Sequence, residues 1–178
     1  MKPPTSRKVL AEGRFARLVA QQGWEWVERV NASGAVVIVA VTSEGQLVLV
    51  EQYRVPLGRR VIELPAGLVG DTAGSEHEAL VDAARRELLE ETGCEASELK
   101  LLIEGPSSAG LANEVYALFL ARGVHRLGSG GGDPSEDIQV HLVALDEVAE
   151  WLDTMRSRGI MIDPKIYAGL YFAGGAAL

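Results

Sequence analysis

The sequence predicts an α+β fold: a mixed β-sheet sandwiched with helices, plus a small N-terminal antiparallel strand pair. Three observations carry this. The run Ala35-Val36-Val37-Ile38-Val39-Ala40-Val41 is apolar at every position, as in a strand covered on both faces. One longer segment, Glu76 to Thr92, repeats Ala and Leu near helical spacing. Strand-like stretches lie before, between and after isolated helical ones, which is the order of a mixed sandwich.

Taken in order, Phe15 to Val19 and Trp24 to Val30 read as two short strands around the turn Gln21-Gln22-Gly23. Ala35 to Val41 is the buried strand. Ser43-Glu44-Gly45 is a turn signal, so Leu47 to Tyr53 reads as the partner strand of a hairpin. Val61 to Leu64 is a short strand stopped by Pro65. The Glu76 to Thr92 helix has Ser75 as a candidate cap and Gly93 at its end. Leu99 to Ile103, Val115 to Ala121 and Ile138 to Val143 read as strands, and Arg126 to Asp137 as a Gly-rich mobile loop. Asp146 to Arg158 and Pro164 to Phe172 read as helices.

Bulk properties exclude several classes. A chain of 178 residues, 47% of them hydrophobic, has material for a sizeable core and the length of one domain, residues 1–178. A net charge of −8, with Lys and Arg scattered, leaves no stripe for a nucleic-acid backbone or an anionic membrane. The longest apolar run is far short of the roughly 20 residues a membrane span requires. The single Cys94 excludes an internal disulfide and a multi-Cys zinc site. Met1 to Ser6 is followed by no apolar run, so the expected location is cytoplasmic.

Chemistry concentrates in Arg86-Glu87-Leu88-Leu89-Glu90-Glu91-Thr92-Gly93. On a helix, Glu87, Glu90 and Glu91 stand at i, i+3 and i+4 and share one face. Like charges repel there, and the negative end of the helix dipole adds to the penalty. Such a face is either a solvated acidic surface or a seat for hard cations, since Mg²⁺ and Mn²⁺ prefer carboxylate oxygens. Leu88 and Leu89 are expected to turn the opposite side toward the core. Glu63-Leu64-Pro65-Ala66-Gly67-Leu68 lies just upstream.

These residues resemble the Nudix hydrolase signature: Gly, five residues, Glu, seven residues, then Arg-Glu-aliphatic-any-Glu-Glu-any-Gly-aliphatic. Gly67 supplies the first glycine, Glu78 lies eight before Arg86, and Arg86 to Gly93 matches the second half in full. Cys94 takes the final aliphatic place, a mild change for a residue that packs like a small hydrophobe. Ten residues separate Gly67 from Glu78 instead of five, and Gly70 to Gly74 is the natural home of the insertion.

The resemblance implies an α/β/α sandwich and a Mg²⁺-dependent pyrophosphohydrolase, with Mn²⁺ as a substitute. It implies Glu87 and Glu91 as metal ligands, Glu90 as ligand or base, and the Ala66 carbonyl as a further ligand. Arg86 and Glu78, about 80° apart around the helix, would form an orienting salt bridge. Gly67 would let the backbone approach the metal.

Within the family the chain resembles the ADP-ribose and nucleoside-diphosphate-sugar pyrophosphatases. Gln52-Tyr53-Arg54, Ser108 to Glu114 and Ser135 to Val140 carry that likeness. Arg54 is then a phosphate contact, or else a surface ion pair; Arg29 is a second phosphate candidate. Trp24 and Trp26 read as core or dimer packing or as stacking partners for a base. Glu136 is the candidate general base, with Asp137 and Glu114 as reserves. The expected partners are a small nucleoside diphosphate sugar and a second copy of the chain. Residues of about 1–30 would form strands for dimerisation or substrate stacking. Competing readings are another Nudix pyrophosphatase, acting on dinucleoside polyphosphates, nucleoside triphosphates or coenzyme A, and a catalytically silent nucleotide sensor.

Overall fold

The computed structural model describes residues 6–71, 74, 77–132 and 137–174. In chain order the strands are β1 (Lys8–Glu12), β2 (Ala16–Gln21), β3 (Trp24–Arg29), β4 (Gly34–Thr42), β5 (Gln46–Arg54), β6 (Arg59–Glu63) and β7 (Ala66–Val69). Helix α1 (Leu80–Thr92) follows, then β8 (Cys94–Pro106), β9 (Val115–Arg126) and β10 (Ile138–Ala144). Helix α2 (Val148–Ser157), β11 (Met161–Ile162) and helix α3 (Lys165–Ala173) complete the order.

Strand β4 explains the architecture. Its side chains alternate between two cores, as the period of two along a strand demands. Val36, Ile38 and Ala40 join Ala83, Ala84 and Leu88 of α1 on one face. Val37 and Val39 join Leu152 and Met155 of α2 and Ile166 and Phe172 of α3 on the other. Strand β9 alternates likewise, with Ala117, Phe119 and Ala121 toward α1 and Leu118 and Leu120 toward α2 and α3. The result is the expected α/β/α layering. Full burial of a leucine such as Leu88 contributes about 2 kcal/mol.

The hairpin expected between β4 and β5 splays after its turn. Only Val41 and Leu47 pair across it. Strand β4 goes on to pair β9 in parallel and β7 antiparallel, while β5 pairs β6 and β10 antiparallel. Strand β11 adds to β6 in parallel. The N-terminal unit is a three-stranded sheet in the order β1-β2-β3, one strand more than the predicted pair. It is pinned through buried Glu28, which accepts from Arg17 Nε at 2.9 Å and Trp26 Nε1 at 2.9 Å.

Helix α1 begins at Leu80, four residues later than the Glu76 the sequence suggested. Its N-cap is Ala79, without a side-chain cap bond, and the candidate cap Ser75 lies outside the described residues. Leu89 is 40% exposed, so only Leu88 of the expected pair faces the core.

The first part of the Gly-rich stretch does not hang free. Leu127 and Gly128 donate to the Gly93 carbonyl, Gly131 to Glu91 O at 2.9 Å and Gly132 to Glu90 O at 3.0 Å. These bonds satisfy carbonyls left open at the end of α1. The close approach requires glycine: a Cβ on Gly130 (φ +66°) would stand 2.4 Å from the Thr92 carbonyl carbon.

Candidate active site

A cavity of about 420 Å³ opens where the C-terminal half of α1, β7 and the ends of β3, β5, β6 and β9 converge. Glu87, Glu90 and Glu91 line one side, as their shared helix face foretold. Ala66 and Gly67 of β7 lie against them. The Ala66 N–H donates to Glu91 Oε2 at 3.0 Å. At Gly67 the carboxylate of Glu87 packs directly on the backbone; a Cβ there would fall 1.9 Å from its carboxyl carbon. The role of Gly67 is therefore steric: it makes room for a carboxylate.

Arg86 organises the acids. Its Nε and Nη2 bind the two oxygens of Glu78 at 3.0 Å each. Nη2 also donates to the Leu68 carbonyl at 3.1 Å, and Nη1 to Glu87 at 2.8 Å and Glu90 at 3.1 Å. The expected pair with Glu78 is present, but not as two positions on one helix. Glu78 precedes α1 and reaches back from the chain leading into it. The Arg86 hydrogen bond holds the Glu78 carboxyl below its ordinary 4.5. Burial pushes Glu87 the other way, to about 7; the Arg86 charge opposes this, and Glu90 and Asp71 reinforce it.

Among the described residues no three acidic, His or Cys side chains surround one point closely enough to hold an ion as they lie. Glu90, whose side chain is half exposed, is turned onto Arg86. The donor chemistry nevertheless suits a hard divalent cation. It consists of carboxylate oxygens, one of them seated in a glycine cradle. Glu87, Glu91 and Glu90 are the residues that would hold it, with Ala66 beside them.

The same cavity is also lined by Arg54, Arg29 and Lys165. Arg54 lines the cavity and pairs with Glu63 at 2.7 Å. Arg29 also lines it, bound to Glu114. The turn at 108–112 docks on β3 through Val27 N to Leu111 O at 2.8 Å, near the point where Glu114 meets Arg29. Trp24 and Trp26 do not reach the acids. They line a separate cavity of about 310 Å³ with residues of the 109–113 turn, and the Trp26 indole is engaged by Glu28. Asp137 is tied to Arg60 at 2.6 Å. Glu136 lies outside the described residues.

Five polar residues of the lining carry no local sequence signal for it: Glu63, Asp71, Ser107, Tyr116 and Lys165. Lys165 begins α3, about a hundred residues along the chain from Gly67; only the sheet brings them together.

Fold and site together define a Nudix hydrolase, an enzyme class that cuts pyrophosphate bonds with the help of a divalent metal ion. Residues 32–163 match the NUDIX domain family, and the chain belongs to it. It is 35% identical over 145 residues to an ADP-ribose pyrophosphatase of Bacillus subtilis (strain 168), covering 81% of this chain and 74% of that protein. It is also 35% identical over 130 residues to a methanol dehydrogenase activator of Bacillus methanolicus, covering 72% and 68%. Among solved structures, an ADP compounds hydrolase superposes with a TM-score of 0.69 at 19% identity, over 96% of this chain and 92% of that one; at that identity the likeness concerns the fold. No described helix is long and apolar enough to cross a membrane.

Proposed function

We propose that the chain hydrolyses the diphosphate bond of ADP-ribose or a related nucleoside diphosphate sugar, with Mg²⁺ as its metal, releasing a nucleoside monophosphate and a sugar phosphate. The observation that carries this reading is the mixed lining of one cavity of about 420 Å³, which holds the carboxylates of Glu87, Glu90 and Glu91 together with Arg54, Arg29 and Lys165. The carboxylates suit cations, and the basic groups suit the anionic oxygens of a diphosphate.

A divalent cation held by Glu87, Glu90 and Glu91 would supply charge neutralisation and water activation. The residues of the chain do the rest. Arg54 and Arg29 exchange their carboxylate partners for substrate oxygens and align the phosphorus. Water adds to that phosphorus in line with the bridging oxygen, whose bond breaks and which leaves on the other phosphate. Glu136 takes the proton of the water, an assignment resting on the sequence. Trp24 and Trp26 offer aromatic faces to a base from their own, separate cavity. The protein acts in the cytoplasm, as a homodimer joined through its N-terminal strands.

The test is an incubation with Mg²⁺ and a panel of ADP-ribose, UDP- and GDP-sugars, nucleoside triphosphates and dinucleotides, with the products identified. Cleavage of nucleotide sugars to monophosphates supports the proposal. Turnover of triphosphates alone rejects it. Tight binding without turnover points to a sensing role.

A further inference from the structure

A second cavity, of about 360 Å³, adjoins the first and shares Glu63, Ser107, Tyr116 and Lys165 with it. Its remaining surface is largely apolar, from Leu57, Val61, Pro106, Met161 and Ile162. One polar device stands at the junction. Lys165 Nζ pairs with the Asp163 carboxylate, and the Lys165 backbone N–H donates to Asp163 Oδ1 at 2.8 Å. The ammonium lies 5.9 Å from the centroid of the Tyr116 ring. Asp163 is fixed in turn, because its N–H donates to Ile62 O at 2.9 Å, next to Glu63 of the acidic cavity. The pair therefore sits on the sheet that builds the diphosphate site.

We propose that this cavity is the subsite for the sugar attached to the diphosphate, and that Lys165 and Asp163 read a vicinal diol there. The proposal rests on the diphosphatase reading and adds which end of the substrate goes where. A lone ammonium would read charge, but a lysine beside a carboxylate has no net charge, and the carboxylate repels a second phosphate. What the pair offers is a donor next to an acceptor. Two adjacent hydroxyls need that: one accepts from Nζ and the other donates to Oδ. The apolar surroundings suit the C–H face of a sugar ring, in the usual pattern of small-molecule sites with a few placed polar groups. A site built to bind a hydroxyl discriminates strongly against an analogue lacking it, because its own polar groups are then left without partners.

The experiment compares ADP-ribose with its analogue lacking the 2-hydroxyl of the distal ribose, in wild type and in Lys165→Met. Wild type should prefer ADP-ribose in kcat/KM by about tenfold or more, the scale of one hydrogen bond to a charged group. Lys165→Met should narrow that preference to within about threefold. Asp163→Asn retains an acceptor for the Lys165 N–H and should narrow it as well, which covers the case of a Lys165→Met protein that fails to fold. A preference equal in wild type and variants, or absent from wild type, overturns the subsite. If wild type cleaves neither compound, the diphosphatase reading has failed only if no other nucleoside diphosphate sugar is cleaved either. In both cases the subsite is judged by calorimetric titration of ribose 5-phosphate against 2-deoxyribose 5-phosphate. A wild-type preference for the former that Lys165→Met abolishes supports it; equal ratios overturn it.

Discussion

Gly67 and Glu87 occupy the same space up to one methyl group: a Cβ on the glycine would stand 1.9 Å from the carboxyl carbon of the glutamate. The added methyl is fixed to the backbone, so the Glu87 side chain is the partner that has to yield. Gly67→Ala must therefore expel the Glu87 carboxylate from its cradle. We expect a loss of turnover of about a hundredfold, the cost of misplacing a reacting group by about 1 Å, with the fold intact. Steady-state kinetics and a circular-dichroism melt check it; wild-type turnover would show that the cradle is not used.

Glu91→Gln should leave the fold standing, because the amide oxygen can still accept from the Ala66 N–H. It removes one negative oxygen donor, so activity should fall by at least about a hundredfold, as when one group stabilising reacting charge is deleted. Near-normal turnover in that variant would remove Glu91 from the metal site.

Arg86→Lys tests the fork. A lysine cannot bind both Glu78 oxygens while also reaching the Leu68 carbonyl and the two helix glutamates. The side chain is a quarter exposed, so solvent discounts the loss, which we place at about 1–3 kcal/mol. Urea denaturation gives the value, and an unchanged midpoint would reject the organising role.

Two glutamates predict opposite pH responses in metal-free protein. Burial raises Glu87 from 4.5 to about 7, so the folded state binds a proton that the unfolded state has released. Its contribution is complete below about pH 4.5 and is lost as pH rises toward 7. Glu78 is held below 4.5 by Arg86, so its contribution is present above 4.5 and is lost on acidification. In EDTA, wild type should therefore lose stability relative to Glu87→Gln between pH 4.5 and 7, and saturating Mg²⁺ should reverse the trend. Parallel thermal-melt profiles for the two proteins would refute this account of Glu87.

Gly130→Ala places a methyl group against the Thr92 and Glu91 backbone at a positive φ. The loop must then lift from the end of α1, giving up the bonds from Gly131 and Gly132 to Glu91 O and Glu90 O. A destabilisation of about 1–3 kcal/mol is expected. Divalent-metal affinity should drop with it, since the freed carbonyls belong to the residues that would bind the metal. Isothermal titration with Mn²⁺ separates this from a purely local loss, which would leave affinity unchanged.

The sequence determined whatever depends on local spacing. The positions of Glu87, Glu90 and Glu91 at i, i+3 and i+4 put them on one face before any packing was known, and Ala35 to Val41 announced a strand covered on both sides. The Arg86–Glu78 pair was also legible, though for a different geometry, because helix starts carry weak signals and Ala79 caps without a side chain. Tertiary structure alone decided the rest. It split β4 from β5 after one pair, kept Trp24 and Trp26 out of the acidic cavity, and carried Glu63, Tyr116 and Lys165 into it. Strand register over long separations fixes those positions. It is set by the summed packing of two cores, which no short stretch of residues encodes.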